Sequence, residues 1–225
     1  MKTVISLFTL VFCLAVFGQQ ADFEAPDYQQ IEKNIKNKKS EFYYPDLLER
    51  FEKRDTLLTD EQYDHLYYGF VFDERYAPYF RDQREKEIQE FYNKDKLSSD
   101  EKSQVYELID QLLKENPFNL SVMNFLFQLK FENGEQEEGD KVLKNLIGIL
   151  RTIMYSGNGE SCETAFHVIR PTDEYAFMGM LGFQSEGQAL IGNCDLQNIA
   201  ENEDGITEIY FDISKPFKKL GDSLR

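Results

Sequence analysis

The sequence has no tryptophan, only two histidines and only three cysteines among its 225 residues. Tryptophan is the side chain most often used to stack on sugars, so its absence weighs against a glycan platform built on indole rings. A zinc site needs several His, Cys or carboxylate ligands at characteristic spacings, and His65 and His167 with two distant cysteines do not supply them. The G-x-S-x-G turn of serine hydrolases is also missing. We therefore expect no metal site and no cofactor.

Basic residues are scarce relative to acidic ones. The chain has 25 Lys and Arg against 41 Asp and Glu, a formal net charge of −16. Nucleic-acid binding depends on basic side chains that neutralise phosphates, and anionic membrane surfaces attract the same side chains. The composition excludes a nucleic-acid partner and favours an unknown protein or glycan partner.

Long apolar runs are absent except at the N-terminus, where Val4 to Phe17 follows a single lysine. Its fourteen residues are fewer than the about 20 that a membrane-spanning helix needs, and the layout is typical of a secretory signal peptide. We predict that residues 1–18 are removed after Gly18, an uncleaved anchor being the alternative. Lipoprotein processing at Cys13 is disfavoured by the bulky Phe12. The mature chain, periplasmic or secreted, should have no transmembrane segment.

The two cysteines that remain after cleavage are Cys162 and Cys194. An even pair in an exported chain suggests a disulfide, and two free, mostly buried thiols are the alternative. A thiol hydrolase using Cys162 and His167 is disfavoured, because export favours oxidation of the cysteine.

Hydrophobic periodicity divides the mature chain near its SGNGES phrase into a helical region, residues 19–155, and a small α+β region, residues 156–225. We expect both to form one compact α+β unit, in which an all-helical bundle packs on a small antiparallel sheet. The last two helices of the bundle, on either side of Gly134, have the length of a tetratricopeptide-like hairpin. Any antiparallel helix pair has this appearance, which is the alternative interpretation.

Several boundaries follow from capping signals. Ser98 and Glu101 form a capping box that should start a helix, and Thr59 is a good N-cap for another. The apolar residues between Val142 and Met154 occupy a wide arc, so we expect this long helix to lie centrally and to be covered on both sides.

Phrases spread over nearly the whole mature chain resemble an uncharacterised family of exported proteins from Gram-negative gut bacteria, a domain of unknown function. The resemblance implies a single unit and transfers no catalytic or binding residue. The matching phrases are SEFYYPDLLERF at 40–51, DTLLTDEQYDHLYYGFVF at 55–72, SGNGES at 156–161, DEYAFMGMLGF at 173–183, GQALI at 187–191 and IYFDIS at 209–214.

Aromatic residues between positions 65 and 80 supply the first candidate site. His65, Tyr68 and Phe72 form a stripe beside the main apolar face of the predicted helix, and Tyr76 and Tyr79 follow in a turn-forming stretch. Exposed tyrosines offer large contact areas at low entropy cost, as ligand platforms do. The alternative is that these rings cover the neighbouring helix.

A glycine-rich loop supplies the second candidate site, with Ser156 and Asn158 as its polar side chains. Glycines after a long helix let the backbone present amides and carbonyls to a ligand, but glycine is also the commonest helix stop.

These observations favour a noncatalytic binding or interaction module of the cell envelope. The alternative is an exported hydrolase that acts on glycan or peptide through acidic residues, for which a pair of carboxyl groups with shifted pKa values in a pocket would be evidence. A purely structural subunit is a third possibility, and would expose a large apolar patch.

Overall fold

A computed structural model describes residues 23–223 and shows the predicted α+β class, with nine α-helices and one four-stranded sheet in that range. The predicted signal peptide, residues 1–18, and Cys13 lie outside the described residues. No helix between residues 23 and 223 is both long and apolar enough to cross a membrane.

Seven helices precede residue 155 and form the predicted bundle. They are α1 (Tyr28–Lys36), α2 (Tyr44–Glu52), α3 (Asp60–Gly69), α4 (Gln83–Tyr92), α5 (Ser99–Glu115), α6 (Leu120–Glu132) and α7 (Gln136–Met154). A short 3₁₀ turn, Phe70–Phe72, extends α3.

The capping signals place the helix starts as predicted. The Ser98 hydroxyl accepts a hydrogen bond from the Glu101 amide (3.3 Å), and the Glu101 carboxylate accepts one from the Ser98 amide (2.8 Å), which completes the capping box of α5. Thr59 caps α3 in the same reciprocal way with Gln62. Both devices satisfy amides that the first turn of a helix leaves unpaired.

The predicted hairpin of α6 and α7 is present and turns at Gly134, whose φ of +76° favours glycine. Helix α7 packs on α3 through a notch at Gly148, where an added Cβ would lie 2.5 Å from the Tyr63 ring. The Tyr63 hydroxyl donates to the Asn145 side chain (2.9 Å), which in turn donates to the Phe51 carbonyl (2.9 Å). These contacts fix the central position of α7.

The sheet has the strand order β1-β4-β3-β2. Its strands are β1 (Phe166–His167), β2 (Ser185–Ile191), β3 (Cys194–Ile199) and β4 (Glu208–Asp212). Strands β2, β3 and β4 are antiparallel, but β1 pairs with β4 in parallel, which corrects the expected all-antiparallel sheet. Parallel neighbours need a long connection, and the chain between β1 and β4 provides one that contains helix α8 (Pro171–Leu181).

A ninth helix, α9 (Ser214–Ser223), follows the last strand and was not predicted. Pro216 in its first turn obscured the pattern, although proline is tolerated there because the first amides of a helix lack partners in any case.

One hydrophobic cluster contains buried residues from both regions of the chain. From the helical bundle it includes Tyr67, Phe70 and Ile153, and from the C-terminal region it includes Phe177 and Phe211. The sheet and α8 therefore share a core with the bundle.

Candidate functional site

The aromatic candidates do not form one exposed platform, which corrects that expectation. His65, Tyr68 and Tyr76 are 6%, 2% and 2% exposed. The Tyr76 hydroxyl donates to the Ile169 carbonyl (2.7 Å), and the His65 ring stacks on Phe42 with ring centroids 3.9 Å apart. These rings pack in the core. Each also has a protein hydrogen-bond partner, as buried tyrosines require.

Phe72 and Tyr79 are the two candidates that stay exposed, at 37% and 42%. Phe72 lines an open groove of about 590 Å³ together with Tyr44 and Gly69, and Tyr79 is not among the residues of that groove. Burial, with smaller effects from Asp195 and Glu174, raises the pKa of Tyr79. The two exposed rings therefore belong to separate surfaces.

The glycine-rich loop is a tight joint between α7 and β1. The buried Ser156 hydroxyl donates to the Ile153 carbonyl (2.7 Å) and accepts from the His167 amide (2.8 Å). Asn158 is exposed, and its side chain bonds Glu160. A Cβ on Gly157 would lie 2.2 Å from the Ala165 carbonyl oxygen. Glycine is therefore needed here because the backbone at Ala165 passes too close for any side chain.

Cys162 and Cys194 are joined by a disulfide, with their Cα atoms 5.8 Å apart. The bond ties the 3₁₀ turn Cys162–Thr164 to the first residue of β3. No thiol is available at Cys162 in this state, so it cannot act as a nucleophile with His167.

A different site lies where the loop after α3, the start of α4, the end of α5 and the residue before α8 meet. It is a cavity of about 250 Å³, called here the Arg170 cavity. Its lining residues are Arg75, Ala77, Phe80, Asp82, Arg84, Glu85, Leu112, Glu115, Asn116 and Arg170.

Two of the three arginines in the Arg170 cavity already have acidic partners. Arg75 donates to both oxygens of Asp73 (2.8 and 2.7 Å) and to the Lys114 carbonyl (2.8 Å). Arg84 donates to both oxygens of Asp82 (2.9 and 2.5 Å), and this guanidinium holds the pKa of Asp82 below its usual range. Because each guanidinium bonds both oxygens of its aspartate, Arg75 and Arg84 are held in fixed geometry at the cavity wall.

Two other side chains of the cavity are buried and carry polar atoms that no described protein group bonds. Asn116 is 8% exposed, and neither its amide nitrogen nor its oxygen is hydrogen-bonded to any residue that the structure describes. Arg170 is 6% exposed and donates from Nη2 to the Ala77 carbonyl (2.8 Å), whereas its Nε has no partner in the described range. Buried polar groups are nearly always bonded to protein, water or ligand, so these atoms are available to an ordered water or to a ligand.

Glu85 provides a negative charge on the same cavity. Asn119 donates to its Oε1 (2.7 Å), and within residues 23–223 no protein group bonds its Oε2. Burial raises the pKa of Glu85, and the charge of Arg170 partly offsets that effect. The cavity therefore presents a guanidinium, a free carboxamide and a carboxylate oxygen together.

A buried acidic pair lies beside Arg170 in the first turn of α8. Asp173 is 2% exposed and accepts a hydrogen bond from the Tyr67 hydroxyl (2.7 Å), which itself accepts from the Ile169 amide (3.2 Å). Burial raises the pKa of Asp173 to about 7, although Tyr67 and Arg170 act in the opposite direction.

Glu174, the second member of the pair, is fully buried and accepts from the Gln197 side chain of β3 (2.7 Å). Burial raises its pKa to about 9, and the nearby Asp195 contributes in the same direction. Glu174 is therefore protonated at neutral pH. Gln197 is held by the Ser185 hydroxyl (2.7 Å), so the pair links α8 to the sheet and to α3, and neither acid lines the Arg170 cavity.

Sequence reasoning missed Asn116 and Arg170, yet the two residues share one signal. Asn116 precedes Pro117 and Arg170 precedes Pro171. A residue before proline is held in extended backbone. Asn116 therefore lies just after α5 and Arg170 just before α8. At such a boundary a side chain can project into the space between elements. A polar residue before proline at a helix boundary is a weak but usable indication of such a site.

Fold and site together define an α+β protein with a small polar cavity at the contact between its helical bundle and α8. The chain belongs to the family described as "Domain of unknown function (DUF4919)", whose model matches residues 29–221. All the phrases that suggested an uncharacterised family lie within this range. No curated protein and no solved structure is significantly similar to the chain.

Proposed function

We propose that this protein is a noncatalytic binding module of the cell envelope, which holds a small polar molecule in the Arg170 cavity. The observation that supports this function is the Asn116 carboxamide, buried in the cavity wall without a described protein partner. Leaving such a group unbonded costs about 1–3 kcal/mol, and a bound molecule would recover that free energy. A stacking glycan ligand loses support, because Tyr68 and Tyr76 are buried.

Export of the chain is part of this proposal. The N-terminal segment has the layout of a signal peptide, and the Cys162–Cys194 disulfide suits an oxidising compartment such as the periplasm or the medium. When the full chain is expressed in a Gram-negative host, we expect it in the periplasmic fraction or medium with an N-terminus at Gln19. A cytoplasmic chain that retains its first residue would contradict export.

A hydrolase that uses Asp173 and Glu174 is the second candidate, favoured by their raised pKa values. General acids in glycosidases have raised pKa values for the same reason, burial. Their contacts favour a structural role instead, because one bonds Tyr67 and the other Gln197, both buried. Release of sugar or peptide fragments that is abolished by Glu174→Gln in a fully folded protein would establish the hydrolase.

The binding function is tested by a thermal-shift screen of small sugars, carboxylates, amines, amino acids and dipeptides, followed by NMR of the Asn116 side-chain amide. We expect at least one compound to raise the melting temperature and to shift that resonance. The variant Asn116→Leu should lose the effect, whereas Asn124→Leu on α6, outside the cavity lining, should keep it. If no compound moves the Asn116 resonance, the cavity is not a binding site.

A further inference from the structure

The charges of the Arg170 cavity restrict the ligand that it can hold. Asp73 and Asp82 neutralise Arg75 and Arg84. Arg170 has no carboxylate within ion-pair distance in the part of the chain that the structure describes, because none of the ion pairs there includes it. Arg170 therefore places a buried cation on the wall of the cavity, and the buried Asp173, which does not line the cavity, also interacts with its charge.

Two acidic side chains without an arginine partner line the same cavity. Glu85 is half-buried and has one oxygen free of protein partners in the described range, and Glu115 is exposed at the end of α5. A simple anion that approaches Arg170 would meet the repulsion of these two carboxylates, and a simple cation that approaches Glu85 would meet Arg170. A molecule that carries both charges avoids both penalties.

The uncharged residues of the cavity lining also suit a molecule that carries both charges. The Asn116 carboxamide has both a donor and an acceptor to offer, so it can bond a carboxylate oxygen and an ammonium hydrogen. Ala77, Leu112 and the exposed ring of Phe80 provide apolar surface. With about 250 Å³, the cavity is smaller than the roughly 300–1,000 Å³ of sites for drug-sized ligands.

We propose that the Arg170 cavity binds a small zwitterion of the amino-acid class, with the ligand carboxylate on Arg170 and Asn116 and the ligand ammonium group on Glu85. This inference rests on the proposed binding function and adds the chemical class of the ligand. Arginine suits the carboxylate because its planar fork matches the two oxygens.

The experiment compares three probes of similar size on the purified protein by calorimetric titration. L-alanine carries both charges, propionate lacks the ammonium group, and ethylamine lacks the carboxylate. We expect L-alanine to bind, and propionate and ethylamine each to bind at least about tenfold more weakly, since loss of a charged hydrogen bond has that effect or more.

Variants assign each charge to a residue. Glu85→Gln keeps the acceptor for Asn119 and removes the charge, so we expect at least about tenfold weaker binding of L-alanine and no weakening for propionate. Glu87→Gln, on the same helix but outside the cavity lining, should leave both affinities unchanged. Asn116→Leu should abolish binding of L-alanine while the protein stays folded by circular dichroism.

Equal affinities for L-alanine and propionate, or for L-alanine and ethylamine, would overturn the zwitterion. The same holds if Glu85→Gln leaves the preference for L-alanine intact. These outcomes leave the binding function standing, provided that some compound of the screen still shifts the Asn116 amide resonance. If none does, the proposed function fails as well, so the two failures are distinguishable.

Discussion

At the scale of single residues, Asn116 is a buried polar side chain that the described protein leaves unbonded. It ends α5 with a backbone amide bonded to the Leu112 carbonyl (2.8 Å), yet its side chain has no partner among residues 23–223. Its neighbour Asn119 is also at a helix boundary, but both ends of its amide are used, by the Val122 amide and Glu85. Two similar asparagines therefore have opposite effects on the stability of the unliganded protein.

We predict that Asn116→Leu stabilises the unliganded protein by about 1–2 kcal/mol, because it removes an unbonded buried amide and adds apolar volume beside a cavity. The measurement is the free energy of unfolding from urea titration. Asn119→Leu serves as the matched control and should lose about 1 kcal/mol, since it removes an N-cap. A loss of stability for Asn116→Leu would show that the Asn116 side chain has a structural partner.

Glu174 makes stability depend on pH. Its folded pKa of about 9 is raised above the ordinary value of 4.5 by burial, so the folded state retains a proton that the unfolded state releases. The contribution of this group to stability is therefore complete below about pH 4.5 and is lost progressively as the pH rises towards 9. Asp173, with a pKa of about 7, adds to the decline between about pH 4 and 7.

We predict that Glu174→Gln flattens this decline and raises the free energy of unfolding at pH 8.5 by at least about 1 kcal/mol, since one pKa unit corresponds to ~1.4 kcal/mol. Glutamine keeps an acceptor for Gln197 and cannot ionise. Urea titrations at pH 5.5 and 8.5 measure the difference, with the exposed Glu186→Gln as control. The same pH dependence in both variants would contradict a protonated Glu174.

At the scale of elements, helix starts that carry capping signals were predictable because those signals are local. The capping signals at Ser98 and Thr59 placed the starts of α5 and α3, and Gly134 marked the turn between α6 and α7. The parallel pairing of β1 with β4 was not predicted, because it depends on contacts distant in sequence. The aromatic stripe failed for a related reason, since periodicity on one helix does not reveal that other elements cover its second face.

We predict that Ser98→Ala lowers the free energy of unfolding by about 1 kcal/mol, because the Ser98 hydroxyl caps the Glu101 amide at the start of α5. Ser99→Ala, one residue further along, is the control and should change stability by less than about 0.5 kcal/mol. Denaturant midpoints for the two variants measure the effect. Equal midpoints would mean that the hydroxyl of Ser98 does not stabilise the helix.

At the scale of the whole molecule, the sequence does not show that Asn116 and Arg170 line one cavity. Its walls come from four separate segments, and the distance from Arg75 to Arg170 along the chain gives no hint that both line one space. The burial of Asp173 and Glu174 was not predicted either, because acids in the first turn of a helix ordinarily complement the helix dipole at the surface. They are buried because α8 packs against neighbouring elements, where Asp173 meets Tyr67 of α3 and Glu174 meets Gln197 of β3.

The disulfide acts on the whole molecule through the unfolded chain. It joins residues separated by 32 positions, and closing a loop of that length stabilises by roughly 3–4 kcal/mol in the chain-entropy model. We predict that Cys162→Ser with Cys194→Ser lowers the free energy of unfolding by about that amount, measured by urea titration. Mass spectrometry of the unfolded, unreduced protein after alkylation is the control, and it should find neither Cys162 nor Cys194 labelled in the oxidised parent.

The same bond has a consequence for resistance to proteolysis. The segment that it closes contains α8, with Asp173 and Glu174, and the exposed hairpin turn at Gly192. A single cut at that turn leaves both fragments covalently attached, so the nicked protein keeps its mass on a nonreducing gel. The hydrogen bonds of Asp173 to Tyr67 and of Glu174 to Gln197 lie away from the cut. The nicked protein therefore keeps the contacts that hold α8 in the fold.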